Sequence, residues 1–180
     1  EDATERVLDL VSQLRSAGIN IRYINLGGGL GITYDQESPP TVFELAEKIG
    51  PFIREIGCTL LFEPGRSLVG NAGILLGSVI YGKKTPAKQF YIVDVAMNDL
   101  IRPSLYESFH EIRSVLEAVA SRPRSVADLV GPICESGDFI AKDRELPAFE
   151  SGDLFAVMSA GAYGFAMASN YNARPKPAEV

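Results

Sequence analysis

Two short apolar runs, IRYINL at residues 21–26 and TLLF at residues 59–62, each stop abruptly at a loop rich in glycine or proline. Each also follows a stretch with helical spacing, and this alternation constrains the fold more than any other feature. In residues 4–17, Val7, Leu8, Val11 and Leu14 fall on one helical face, and Gly18 stands where a helix stop is expected. After Pro39-Pro40, Thr41 and Glu44 form a T-x-x-E capping box, and Val42, Leu45, Ala46, Ile49, Phe52 and Ile53 keep the helical period. Pro51 is expected to kink or divide that second helix. The order α, β, α, β predicts parallel strands joined by crossover helices, a sheet that must be covered on both faces. Two such strands cannot close or cover themselves. Further strands are therefore expected upstream of Glu1 or on another chain, and a first residue other than Met points the same way.

From about residue 67 the pattern changes to apolar β runs at 74–82, 90–97, 125–131 and 153–159, separated by turn residues, which predicts a mainly antiparallel β module. A short helix is expected within 162–171, followed by a proline-rich tail. With 46% hydrophobic and 22% charged residues, 180 residues bury a core without covalent staples. The formal charge of -6 and the lack of a local basic patch argue against nucleic acid as a partner. Cys58 and Cys134 are too few for a disulfide framework, and His110 alone gives no histidine-based metal site. No metal is expected. No apolar run reaches membrane-spanning length, and the first residues are not signal-like, so no membrane partner is expected.

Several motifs carry chemistry. Gly27-Gly28-Gly29 follows a strand, where glycine amides approach an anion closely, although a plain tight turn uses the same residues. A dinucleotide fingerprint fails because Ile32 stands at its third glycine. GSVIYGKK at 77–84 nearly matches a P-loop, but Lys84 replaces the hydroxyl residue and the segment reads as strand. Glu63-Pro64-Gly65-Arg66 ends the second apolar run. If both runs are barrel strands, the two loops share the carboxyl face, where active sites lie; otherwise Arg66 is a solvated cation and Glu63 a cap. Arg102 and Tyr106, four apart, suit a carboxylate if helical, or else a surface turn around Pro103. Cys134-Glu135-Ser136-Gly137-Asp138 sets a thiol among carboxylates, better suited to giving a proton than to nucleophilic attack, although an inert buried cysteine is the commoner fate. His110 reads as a satisfied residue of surface or core.

Taken together, INLGGGLG, LLFEPGRSLV, MNDLIRPSLY, GPICESGD and SAGAYGFAMASNYN resemble, in order and spacing, the alanine-racemase-like, fold-type III pyridoxal-phosphate decarboxylases. The resemblance runs along nearly the whole chain. It implies an α/β plus all-β architecture: the last strands and helices of a (β/α)8 barrel that binds the cofactor at 1–67, then a C-terminal β-sandwich or barrel domain at 68–180. It implies a homodimer with shared active sites, and removal of carbon dioxide from the D-configured centre of meso-diaminopimelate to give L-lysine. Gly28, Gly29, Glu63, Pro64, Gly65 and Arg66 would hold the phosphate of pyridoxal 5'-phosphate. Arg66, Arg102 and Tyr106 would contact substrate, Glu135 would reach it from the neighbouring subunit, Cys134 would donate the proton, and Tyr163 would touch both cofactor and substrate. The family's cofactor-bonding lysine has no convincing counterpart here and is expected upstream, so the chain by itself is expected to be inactive. The implied compartment is the cytoplasm, or the stroma in a plant. Two other readings stay open: a decarboxylase of the ornithine or arginine type, and a non-catalytic regulatory relative.

Overall fold

A computed structural model describes residues 2–180. The chain forms two compact units: residues up to 33 with 38–67, and residues 34–37 with 68–180.

In the first unit, helix α1 (Asp2–Ser16) turns Val11 inward, with Val7, Leu8 and Leu14 half-buried on the same face. Arg15 in its last turn donates to the carbonyls of Ile56 at 2.7 Å and Ile21 at 3.1 Å. One guanidinium thus satisfies a helix end and the approach to a strand. Strand β1 (Tyr23–Asn25) pairs in parallel with β2 (Thr59–Leu61), Ile24 opposite Leu60. Both strands are shorter than their apolar runs, because pairing lasts only three residues before the loops diverge. Helix α2 (Val42–Ile56) has both halves of the capping box: the Thr41 hydroxyl accepts from the Glu44 amide, and the Glu44 carboxylate accepts from the Thr41 amide at 2.7 Å. The Thr41 amide and then the Thr41 hydroxyl, both donating to that carboxylate, hold the Glu44 carboxyl below its usual range. Gly57 ends the helix at φ 67°, a left-handed cap. Pro51 does not divide α2, which runs through it as one element, although the proline withholds an amide from the turn before it.

A short helix α3 (Gly65–Val69) follows β2. The second unit is a six-stranded sheet in the order β5-β8-β3-β4-β6-β7. Its strands are β3 (Leu75–Lys84), β4 (Gln89–Val93), β5 (Ile112–Ser114), β6 (Arg124–Val130), β7 (Phe139–Pro147) and β8 (Leu154–Val157). The pairings are antiparallel except β4 with β6, which is parallel, Tyr91 opposite Leu129. The sheet is therefore mixed. The connection from β4 to β6 carries helices α4 (Arg102–Tyr106) and α5 (Glu117–Ala120) and strand β5, which is what a parallel return requires. Residues 77–84 lie within extended β3, so the P-loop likeness has no loop or helix behind it. A Cβ on Gly77 would stand 2.6 Å from the Phe155 ring and collide with Val95, so this glycine serves core packing. Asp94 accepts from the Ser78 amide at 2.7 Å and its hydroxyl at 2.6 Å, beside the register shift between Val79 and Tyr81. The core comprises Val79, Val93, Leu100, Leu129, Ile140, Leu146, Phe155 and Val157, with Tyr91 and Phe149 edge-on at 5.4 Å. In place of the helix expected within 162–171 there are 3-10 turns at Phe165–Met167 and Tyr171–Ala173. Tyr163, at φ 60°, breaks helical geometry just before the first.

Candidate active site

In the first unit, the glycine loop and the 63–66 loop leave adjacent parallel strands at the same end and are bonded to each other. Asn25 closes β1 and uses both ends of its amide: the oxygen accepts from the Gly27 amide at 2.7 Å, and the nitrogen donates to Glu63 Oε1 at 2.6 Å. The Glu63 amide donates to the Gly27 carbonyl at 2.8 Å. A Cβ on Gly28 would lie 2.6 Å from the Glu63 carbonyl oxygen, so only glycine allows this approach. Gly27 and Gly29 have φ of 71° and 77°, the left-handed region where glycine turns the backbone at least cost. Pro64 is half-buried, and Glu63, Gly65 and Arg66 are exposed. Backbone amides in such a turn can converge on an anion, and the site has room for nothing bulkier at Gly28. The pair of loops therefore fits a phosphate group.

The second unit joins two other motifs. Residues 131–138 form a loop between β6 and β7, folded on one carboxylate: Asp138, 4% exposed, accepts from the Ile133 amide at 2.6 Å and the Met97 amide at 2.7 Å. Burial pushes the Asp138 carboxyl upward against the pull of those two amides. The loop presents Cys134, Glu135 and Ser136 to solvent. Cys134 is exposed and free rather than buried. The Ser104 hydroxyl of α4 donates to the Gly137 carbonyl, so the helix bearing Arg102 and Tyr106 is fastened to the loop bearing Cys134 and Glu135. The Tyr171 hydroxyl reaches Glu135 Oε2 at 3.4 Å.

Arg102 and Tyr106 share one helical turn but not one environment. Tyr106 is 61% exposed, whereas Arg102 is 6% exposed. Its Nη1 lies 2.9 Å from His110 Nε2, and its guanidinium covers the Tyr34 ring with Cζ 4.5 Å from the centroid. His110 is a core residue with both ring nitrogens engaged. Burial, followed by the charges of Arg102 and Arg144, holds its pKa down despite the hydrogen bond to Met158. Tyr163 is exposed at positive φ. Sequence reasoning gave no role to Tyr34, Ser104 or Tyr171, and read Asp138 only as an acidic neighbour of Cys134, not as the carboxylate on which the loop folds. Of these, only Asp138 carried a local signal, a carboxylate three residues past the Glu135 it organises.

Three kinds of similarity bear on this geometry. Residues 7–161 match the family model described as the C-terminal sheet domain of pyridoxal-dependent decarboxylases. The chain is 54% identical to the diaminopimelate decarboxylase of Pseudomonas aeruginosa, over 99% of this chain and 42% of that protein. It superimposes on the crystal structure of diaminopimelate decarboxylase from Helicobacter pylori complexed with L-lysine, with a TM-score of 0.89 and 41% identity, covering 97% of this chain and 43% of that one. The arginine decarboxylase of Paramecium bursaria Chlorella virus, at 20% identity and a TM-score of 0.84, shares the fold. The chain spans less than half the length of each of these relatives.

Proposed function

This chain belongs to the pyridoxal-dependent decarboxylases, and we propose that the whole protein of which it is part removes carbon dioxide from the D-configured centre of meso-diaminopimelate, leaving L-lysine. The observation that carries this reading is the fastening of α4 to the 131–138 loop through Ser104 and Gly137. That bond fixes a guanidinium and a phenol on one element relative to a carboxylate and a thiol on another, the first pair serving one site and the second the site of the neighbouring subunit, so that a homodimer completes the set twice. A substrate with an amino-acid group at each end needs such a set. Arg102 and Tyr106 receive the carboxylate that is retained, and Glu135 receives the ammonium beside it. Arg66 adds a second cation, and Tyr163 lies along the substrate and the cofactor ring.

Residues 1–67 are, on this reading, the last strands and helices of a (β/α)8 barrel, and 68–180 the C-terminal β domain. The Gly28–Gly29 turn and Glu63, Pro64, Gly65 and Arg66 hold the phosphate of pyridoxal 5'-phosphate. When bound, that group supplies the electron sink for the charge left as carbon dioxide departs. Cys134 Sγ–H then returns a proton to the carbon that lost its carboxylate. The lysine that bonds the cofactor lies outside this chain, so activity belongs to the longer protein. The protein works in the cytoplasm as a homodimer, Glu135 and Cys134 serving the neighbouring subunit's site. Mixing Arg66→Ala with Glu135→Ala full-length protein should then recover activity that neither has alone.

The test is carbon dioxide release by the full-length protein, supplied with pyridoxal phosphate, from meso-diaminopimelate, L-ornithine and L-arginine. Release from meso-diaminopimelate alone supports the reading. Release from a control moves the substrate within the same fold, and silence on all three returns the non-catalytic alternative.

A further inference from the structure

His110 meets two unlike neighbours. Its Nδ1 lies 2.9 Å from the Met158 carbonyl oxygen, which can only accept, and its Nε2 lies 2.9 Å from Arg102 Nη1, which can only donate. A single protonation state satisfies both: a neutral ring with its proton on Nδ1 and a lone pair on Nε2. Tyr34 completes the setting, its ring beneath the Arg102 guanidinium and edge-on to His110 with centroids 5.3 Å apart. The Tyr34 hydroxyl is buried with no hydrogen-bond partner among the described residues, so the ring is what this residue contributes. From the other side, Arg144 donates to the His110 carbonyl at 3.0 Å and lies over Phe109, fixing the histidine backbone.

Both of these Arg102 partners are uncharged. A carboxylate in place of His110 would hold the guanidinium as firmly but would cancel its charge, leaving little attraction for an incoming anion. A neutral imidazole orients the planar group and leaves its charge intact. We propose that His110 is a positioning residue: its Nε2 lone pair fixes the Arg102 guanidinium without neutralising it, so that Arg102 can receive the carboxylate the substrate retains. This rests on the role given to Arg102 above.

The test compares His110→Phe, His110→Asn and His110→Gln in the full-length holoenzyme. Phe keeps a ring but has no acceptor, Asn keeps a donor near Nδ1, and Gln places a carbonyl oxygen near Nε2. Phe and Asn should raise KM for meso-diaminopimelate about tenfold, the loss of one hydrogen bond to a charged group, with a smaller change in kcat. They should weaken competitive inhibition by L-lysine, which keeps the carboxylate, by a similar factor, and leave inhibition by cadaverine, which has none, as it was. Gln should recover most of the loss. An unchanged KM in the Phe variant, or equal losses for L-lysine and cadaverine, would overturn the proposal and leave His110 a packing residue. If Phe is not recovered as folded holoenzyme, Gln against Asn decides the same question. If the wild type does not turn over meso-diaminopimelate, the functional reading fails separately, and the L-lysine and cadaverine affinities still decide the role of His110.

Discussion

Replacing Asp138 with Asn changes one atom in the centre of the 131–138 loop, and its cost can be worked from the geometry. The wild-type carboxylate accepts from the Ile133 amide at 2.6 Å and the Met97 amide at 2.7 Å, both short and charge-assisted. Asn keeps one acceptor oxygen and turns an NH2 group toward the other amide, so one bond is lost and two donors face each other. Loss of a hydrogen bond to a charged group costs roughly 1.5–3 kcal/mol, and the buried amide left without a partner adds about 1 kcal/mol or more. Against this stands a gain, because burial disfavours the Asp138 charge, as its raised pKa records, and Asn carries none. Hydrogen bonding wins because one amide exchanges a charged acceptor for a facing donor while the other keeps only a neutral acceptor. The expected net destabilisation is about 1–3 kcal/mol. The assay is urea unfolding of the full-length protein, followed in parallel with turnover. The midpoint should fall, and turnover should fall by more than the unfolded fraction explains, since Cys134 and Glu135 ride on this loop. A variant with unchanged midpoint and turnover would refute the reasoning that Asp138 organises the loop.

Other consequences can be checked independently. Gly28→Ala sets a Cβ 2.6 Å from the Glu63 carbonyl oxygen and should force the two loops apart at about 1–3 kcal/mol, weakening pyridoxal phosphate binding in a titration; unchanged affinity would remove these loops from the phosphate site. Tyr34→Phe deletes a buried hydroxyl that has no partner among the described residues and should leave stability unchanged or raise it by about 1 kcal/mol, and a clear loss would mean the hydroxyl has a partner. The His110 pKa is lowered on folding, so its contribution is fully present above the unfolded value near 6.5 and is lost as pH falls below it. The raised carboxyls Asp99 and Asp138 act oppositely, losing stability as pH rises from their unfolded value toward the folded one. Between pH 7.5 and 5.5 the wild type should therefore lose more stability than His110→Gln, by at most about 1.4 kcal/mol per pH unit, and parallel unfolding curves would contradict a neutral, buried His110.

Much of the first unit was legible because its signals are local. The capping box, the helical spacing of Val7, Leu8, Val11 and Leu14, and the glycine stops all act within a few residues of themselves. Four strands of the second unit were visible as apolar runs for the same reason. Strand β7 was not, because Lys142, Asp143, Arg144 and Glu145 interrupt its pattern with charges whose partners are distant, Lys88 pairing with Asp143 at 2.7 Å. The parallel β4–β6 pairing was hidden too, since it depends on how residues 94–123 cross over. Within the site, the spacing of Arg102 and Tyr106 leaves a helical turn and a surface turn around Pro103 equally open; the helical turn is what forms, and their opposite burial was not legible because it is set by His110 and by Tyr34, 68 positions upstream. The exposure of Cys134 likewise follows from Asp138 pulling its own side chain inward.

The central claim is that the exposed thiol on this loop returns the proton after decarboxylation. Turnover of meso-diaminopimelate by full-length Cys134→Ala, measured beside its pyridoxal phosphate occupancy, tests it most directly. General acid catalysis is worth about 10²–10⁴-fold, so turnover should drop by about 10² or more while occupancy stays at the wild-type level. Unchanged turnover, or a loss matched by a proportional loss of cofactor, would contradict the account.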